Sequence, residues 1–451
     1  MKRLHAAPVL LSLLLLASTT GAQHAAPPAR GLAESVGVST DRLDRLHGAM
    51  QQFVDRKEVS GLVTLVERGG KVIDVYSTGE QDIEHHVKMS DTTIFRIASM
   101  SKPITAVAIL MLHEEGRFLL TDPVSRFIPA FRDMKVAGAD GTTAARRPIT
   151  IRDLLTHRSG ISYGFLDRGP VGNAYRQNGV PDGLSTYDGT LAEAIDKLAA
   201  QPLLSQPGAE WHYSLGFDVL GRVVEVVSGK PFDQFLQERL FGPLRMTDTS
   251  FVVTDAKWPR FATAYVREGV PGAGAPGGGS PGAGAPGGGN DLRPIKDPET
   301  FNGTLTYSPW AMYKGPRHHF SGGAGLTSTV HDYARFTQML VNGGELDGVR
   351  ILSPKTVEMM SASHTSDLPA GAVSIGGPGS SFGLGVRVVT DLGASQTLGS
   401  VGMYGWTGIY GTSFWVDPKE KLSGVLMIQR NGGVAPVQNT FQTMTYQAIV
   451  R

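Results

Sequence analysis

Between residues 41 and 58 the chain reads DRLDRLHGAMQQFVDRKE, with Leu43, Leu46, Met50 and Phe53 spaced as one face of an amphipathic helix. The period then changes. GLVTLVERGGKVIDVYSTG (61–79) is two β-rich runs joined by Gly69-Gly70, a dipeptide suited to a tight hairpin turn. Further on, IRDLLTH, TLAEAIDKLAA and GFDVLGRVVEVVSGK have helical spacing between long polar loops, and Thr190 with Glu193 forms a capping-box pattern. From about Phe382 β-character returns in FGLGVRVV, TSFWVDP and KLSGVLMIQR, before a last helix near Val437 to Val450. Strands and a helix at both ends around a helical middle predict an α+β domain. One antiparallel sheet is completed by both termini and flanked by N- and C-terminal helices, with a mainly helical subdomain inserted over roughly residues 110–330.

Two stretches stand outside this plan. MKRLHAAPVLLSLLLLASTTGAQ carries Lys2 and Arg3, an apolar run from Val9 to Ala17, then small residues, the layout of a cleavable secretory signal over residues 1–22 with cleavage expected after Ala22. Residues 23–38 read as a flexible lead into a catalytic domain at 31–451. PGAGAPGGGSPGAGAPGGGN (271–290) states a ten-residue unit twice with one change, in residues that cannot bury a core, and is expected to be a disordered surface insertion.

Composition narrows the function classes. The 451 residues are 41% hydrophobic and 18% charged, which fits a folded domain with a large core. Cysteine is absent, excluding disulfides, thiol nucleophiles and cysteine–zinc sites. Removing Lys2 and Arg3 leaves 40 basic against 41 acidic residues, a balance that does not suggest nucleic acid as a partner. After the signal no long apolar run follows, so no membrane anchor is expected and the mature protein should be soluble and exported, either periplasmic or secreted. The 12 histidines include no H-E-x-x-H and no compact ligand cluster, so neither a metal nor another cofactor is expected.

The chemistry concentrates in FRIASMSKPITAVAILML (95–112), where Lys102 heads a run with no other charge from Pro103 to Leu112. Ser99 and Lys102 form an S-x-x-K pair, the only one in the chain, and three residues of helix bring both side chains to one face. A serine hydroxyl needs a neighbouring base, and a lysine serves when burial disfavours its charged form. The same residues taken alone also describe a capping serine followed by a snorkelling lysine.

Four more blocks accompany this one: LLTHRSGI (154–161), PGAEWHYSLGFDVLGRVVEVVSGKPFDQFL (207–236), GGAGLTSTVHDYARFTQML (322–340) and GWTGIYGTSFWVDP (405–418). In that order they resemble the class C β-lactamase-like serine hydrolases, a superfamily that includes penicillin-binding proteins. The resemblance implies the serine β-lactamase/penicillin-binding-protein fold. It implies Ser99 as nucleophile, and Tyr213, in Tyr213-Ser214-Leu215 where the family has Tyr-x-Asn, as partner of Lys102 in proton transfer. It also places Trp406-Thr407-Gly408 where the family has Lys-Thr-Gly, so that Gly408 and the N–H of Ile409 border the site and Ile409 joins Ser99 in an oxyanion hole. Trp406 then lines an apolar acyl or alcohol pocket; a buried core tryptophan is the other reading.

Leu215 cannot donate the amide hydrogen bond of the family's asparagine, and Trp406 cannot pair with a carboxylate. Both departures favour an ester over a penicillin, and the combination resembles the family VIII carboxylesterases, with a small-molecule ester as substrate. A β-lactamase or D-alanyl-D-alanine peptidase is the near alternative; a non-catalytic cell-wall peptide-binding module is the alternative of another class. Gly-x-Ser-x-Gly matches at Ser162, Ser280 and Ser381 lack the strand-turn-helix context or a following histidine and are set aside as nucleophiles.

Overall fold

The computed structural model describes residues 30–267, 291–369, 372–373 and 377–451; the expected signal over 1–22 and the repeat at 271–290, with Ser280, lie outside them. Its centre is an eight-stranded antiparallel sheet. From one edge the strands run Ser380–Phe382, Arg387–Val389, Tyr404–Thr407, Ser413–Asp417, Leu422–Ile428, Gly61–Arg68, Lys71–Asp82 and Val87–Lys88. The first long strand therefore pairs with the last, Leu62 opposite Ile428. The Gly61–Arg68 and Lys71–Asp82 strands turn through Gly69 and Gly70 at φ +59° and +77°, which glycine adopts without strain.

Every residue of Leu422–Ile428 is buried, because both faces of the sheet are covered. On one face, Leu43, Leu46, Met50 and Phe53 of the Thr40–Asp55 helix and Phe441 of the Ala435–Ala448 helix pack on Leu62, Val66, Trp415, Leu426 and Ile428. On the other, Val63, Leu65, Val425 and Met427 belong to the larger core that includes the Ser101–Glu114 and Val330–Val341 helices. The two-residue alternation of the strands sorts their side chains between these cores. Leu191–Ala199 starts on the expected capping box of Thr190 and Glu193.

Three expectations change. FGLGVRVV is not one strand: Gly383 and Val386 close a turn at 2.8 Å, and Gly385 at φ +87° lies so near the Ser101–Glu114 helix that a Cβ would stand 2.8 Å from that of Ala106. Residues 30–38 form a short helix, Arg30–Ser35, and a bridge from Val38 to Ile449, with Ala33 and Val38 buried. The last helix ends at Ala448 because the Val450 N–H turns to the carbonyl of Gly37. The strands that flank residues 268–290, Tyr265–Arg267 and Leu292–Pro294, pair with Arg267 opposite Leu292, so the fold closes across the base of that segment.

Candidate active site

The Ser101–Glu114 helix is apolar on all sides and buried from Ser101 to Leu112, as expected of a helix in the middle of a large protein. Ser99 precedes it in a single 3-10 turn, Ala98–Met100, rather than on the helix proper. Ala98 carries φ +41°, a left-handed conformation that costs a residue with a Cβ some strain and turns Ser99 out of the core. Long-range bonds hold this turn: the Ile97 N–H donates to Leu326 O (3.1 Å), the Leu326 N–H to Ser101 Oγ (3.1 Å) and the Tyr333 hydroxyl to Met100 O (2.9 Å). Ser99 is left half-buried at the floor of a narrow cleft that Tyr163, Asp182, Tyr213 and Ile409 also line.

Lys102 has no exposed surface. Its Nζ donates to Ser99 Oγ at 3.3 Å, to the Tyr163 hydroxyl at 3.0 Å and to the carbonyl of Gly323 at 2.8 Å, so all three ammonium donors are used. It also lies 4.5 Å from the centroid of the Tyr213 ring. Burial drives the lysine well below its ordinary range, an effect that the negative charge of Asp218 partly offsets. Asp218 is itself buried, which raises its carboxyl, while Ser321 and the Lys102 charge pull it down. Its Oδ2 is so near Gly323 that a Cβ there would come within 2.6 Å. The Gly322–Gly323 pair is thus what lets a carbonyl, a carboxylate and an ammonium meet in one buried spot.

Tyr213 is buried against the same serine, and its hydroxyl approaches the Ser99 side chain without reaching full hydrogen-bond geometry. The Trp406 indole N–H approaches that hydroxyl without reaching full hydrogen-bond geometry. Desolvation raises the Tyr213 and Tyr163 phenols far above their ordinary range, so both stay protonated. Behind Tyr213 stands His157, fully buried and only 4.7 Å away between ring centroids, with Nδ1 3.0 Å from Ser214 Oγ. Burial and the Lys102 charge keep this imidazole neutral, the usual state of a histidine inside an aromatic core.

Trp406 is buried, 5.7 Å from Tyr213 and 5.3 Å edge-on from Phe382, and the side chains lining the cleft do not include it. It sits behind Tyr213, with its indole N–H toward the Tyr213 hydroxyl. Gly408 is buried where its strand end meets the Ser99 turn: a Cβ there would stand 2.4 Å from Ile97 O and 2.3 Å from Thr412 Oγ1. Only glycine allows that approach, and it brings the next residue, Ile409, to the cleft wall. Ser99, Lys102, Tyr213, Gly408 and Ile409 therefore meet at one place, with Trp406 one layer behind.

Tyr163, Asp218 and Gly323 were not singled out in the sequence. Tyr163 stands two residues past LLTHRSGI, and the other two lie inside quoted blocks, but neither residue type nor local spacing marks them. Of the serines set aside, the two among the described residues are structural. Ser162 is buried beside Tyr163, and Ser381 Oγ bonds Ser363 Oγ at 2.6 Å and Thr365 Oγ1 at 2.8 Å. Among the described residues no group of three or more His, Asp or Glu is placed to hold a metal, and no helix is long and apolar enough to cross a membrane.

The chain is similar to known proteins over most of its length. Esterase EstB of Burkholderia gladioli is 31% identical over 383 residues, which is 85% of this chain and 89% of that protein. Protein Rv1367c of Mycobacterium tuberculosis is 35% identical over 398 residues, 86% of this chain and 90% of its own. Among solved structures, "EstCE1, a hydrolase with promiscuous acyltransferase activity" superposes with a TM-score of 0.76 at 30% identity, covering 93% of this chain and all of that one. The family model described as Beta-lactamase matches residues 46–447, from within the Thr40–Asp55 helix to within the Ala435–Ala448 helix and across every residue of the Ser99 site; the chain is a serine hydrolase that belongs to the Beta-lactamase family.

Proposed function

We propose that the protein is a carboxylesterase that hydrolyses small carboxylic esters through an acyl-enzyme on Ser99. The observation that carries this reading is Ser99 Oγ, half-exposed at the cleft floor and 3.3 Å from an amine held away from water. Ser99 Oγ bonds to the acyl carbon while its proton passes to the neutral Lys102 amine. The C–O bond to the alcohol then breaks, and the departing oxygen takes a proton through the Tyr213 phenol. Water reverses the sequence, adding to the acyl carbon and returning Oγ–H to Ser99, so ester and water become acid and alcohol. The main-chain N–H groups of Ser99 and Ile409 are assigned to the oxyanion.

Gly323 supports the assignment of Lys102 as base. A neutral amine has two N–H donors and one lone pair; the Gly323 carbonyl can only accept and takes one donor, and Tyr163 oxygen takes the second. The lone pair is then directed at Ser99. An ester rather than a β-lactam is favoured because no lysine or arginine is among the side chains lining the cleft, where a carboxylate would need a cation. The relative named as an esterase and the neighbour titled as a hydrolase point the same way. The N-terminal pattern adds export to the proposal, to be tested by the N-terminal sequence of the mature protein.

Purified protein given short-chain nitrophenyl esters and a chromogenic cephalosporin in parallel tests the reading. Faster turnover of the ester, lost in Ser99→Ala, and a phosphonate adduct on Ser99 by intact mass are expected. Faster cephalosporin turnover would instead identify a β-lactamase or peptidase, and no adduct at all a binding module.

A further inference from the structure

Among the side chains lining the Ser99 cleft, Asp182 is the one that carries a charge; Ser99, Tyr163 and Tyr213 contribute hydroxyls, and Phe165, Leu184, Ala324 and Ile409 are apolar. Its position is built. Gly183 follows at φ +78°, and a Cβ there would stand 2.3 Å from Ser321 Oγ, so the turn is pressed against the segment that also supplies Gly323 to Lys102. The Leu184 N–H donates to Asp182 Oδ1 at 2.9 Å, and the Leu184 carbonyl accepts from the Ser308 N–H at 3.0 Å. Protein encloses the carboxylate on most sides, yet it keeps an accessible face. Among the described residues no lysine, arginine or histidine pairs with it. Burial and the nearby Asp218 hold this carboxyl up at about 6, so it is still mostly ionised at neutral pH.

An anion fixed in a partly desolvated cleft repels substrate anions and opposes the negative charge that develops on the ester oxygen. A cation on the substrate removes both penalties. We propose that Asp182 forms a cation subsite beside Ser99, and that the preferred substrates are small esters bearing a protonated amine or quaternary ammonium group. This inference rests on the esterase reading above.

The test compares matched esters that differ in charge. Acetylthiocholine, its neutral isostere 3,3-dimethylbutyl thioacetate and the anionic S-acetyl-3-mercaptopropionate vary the leaving group; 4-nitrophenyl β-alaninate and butyrate vary the acyl group. After correction for hydroxide hydrolysis, kcat/KM in the wild type is expected to favour cation over neutral by about ten- to a hundredfold in at least one series, with the anion lowest. In Asp182→Asn the cation-to-neutral ratio falls toward one, a comparison within each preparation that does not depend on its active fraction. A wild type with no preference for the cation in either series overturns the subsite, as does a preference that survives Asp182→Asn; the wild-type series decides alone if the variant does not fold. Turnover of the neutral esters with no charge preference removes the subsite and leaves the esterase standing. No ester hydrolysed above the Ser99→Ala background removes both.

Discussion

Lys102 Nζ lies 2.8 Å from the carbonyl oxygen of Gly323, a main-chain acceptor 221 residues away in the sequence. This bond and the one to Tyr163 hold the amine in place and out of water, where its charged form is disfavoured. Replacing Lys102 by methionine keeps the chain length and removes the base. Turnover of a nitrophenyl ester is expected to fall by about a hundred- to ten-thousandfold, with phosphonate labelling of Ser99 slowed in parallel. Labelling at the wild-type rate would show that another group takes the serine proton.

The same depression sets the pH response. The working form is the neutral amine, whose fraction rises with pH, so kcat/KM for a neutral ester should climb from acid pH and level off well below 10.4, the ordinary lysine value. A rate still rising at pH 9 to 10 would mean that Lys102 titrates as if solvated.

Gly408→Ala tests the strand that borders the serine. With Ile97 O only 2.4 Å from the new Cβ, the strand end has to move away from the Ser99 turn and carry Ile409 with it. Activity should drop by about tenfold or more, since a shift on the order of 1 Å in such a site is costly. The far-ultraviolet circular dichroism should stay close to wild type.

Glu67 gives a stability prediction remote from the site. It is buried on the Gly61–Arg68 strand, accepts from Ser423 Oγ at 2.8 Å, and desolvation raises its carboxyl from 4.5 to about 7. Between those values the unfolded chain gives up the proton while the folded one keeps it, so stability falls as pH rises across that window and is flat above it. The loss is on the order of 3 kcal/mol. Glu67→Gln should therefore be the more stable protein at pH 8 and nearly equal to wild type at pH 4.5, measured by denaturant melts.

Replacing residues 268–290 by Asn-Gly should leave both melting temperature and esterase rate unchanged. The flanking strands are already in register at Arg267 and Leu292, and a short turn can replace the segment. A fall in either would give the repeat a part in folding or in substrate access.

What the sequence determined by itself was local. The spacing of Leu43, Leu46, Met50 and Phe53 sets a helix, Gly69-Gly70 a hairpin, Thr190 and Glu193 a helix start, and Ser99-x-x-Lys102 a hydroxyl one turn from an amine. Each depends on residues a few positions apart, where side-chain period and turn chemistry operate. The resemblance of five blocks added Tyr213, Gly408 and Ile409. Tertiary structure decided the rest. It put Tyr163, Asp218 and Gly323 around Lys102, Asp182 into the cleft wall, Trp406 behind Tyr213, and residues 30–38 against the C-terminus. Those neighbours come from distant segments whose approach depends on shape and burial, for which a one-dimensional pattern has no signal. The lowered basicity of Lys102 comes from that enclosure, because an amine loses its proton more readily only when the folded chain withholds the water that would solvate its charge.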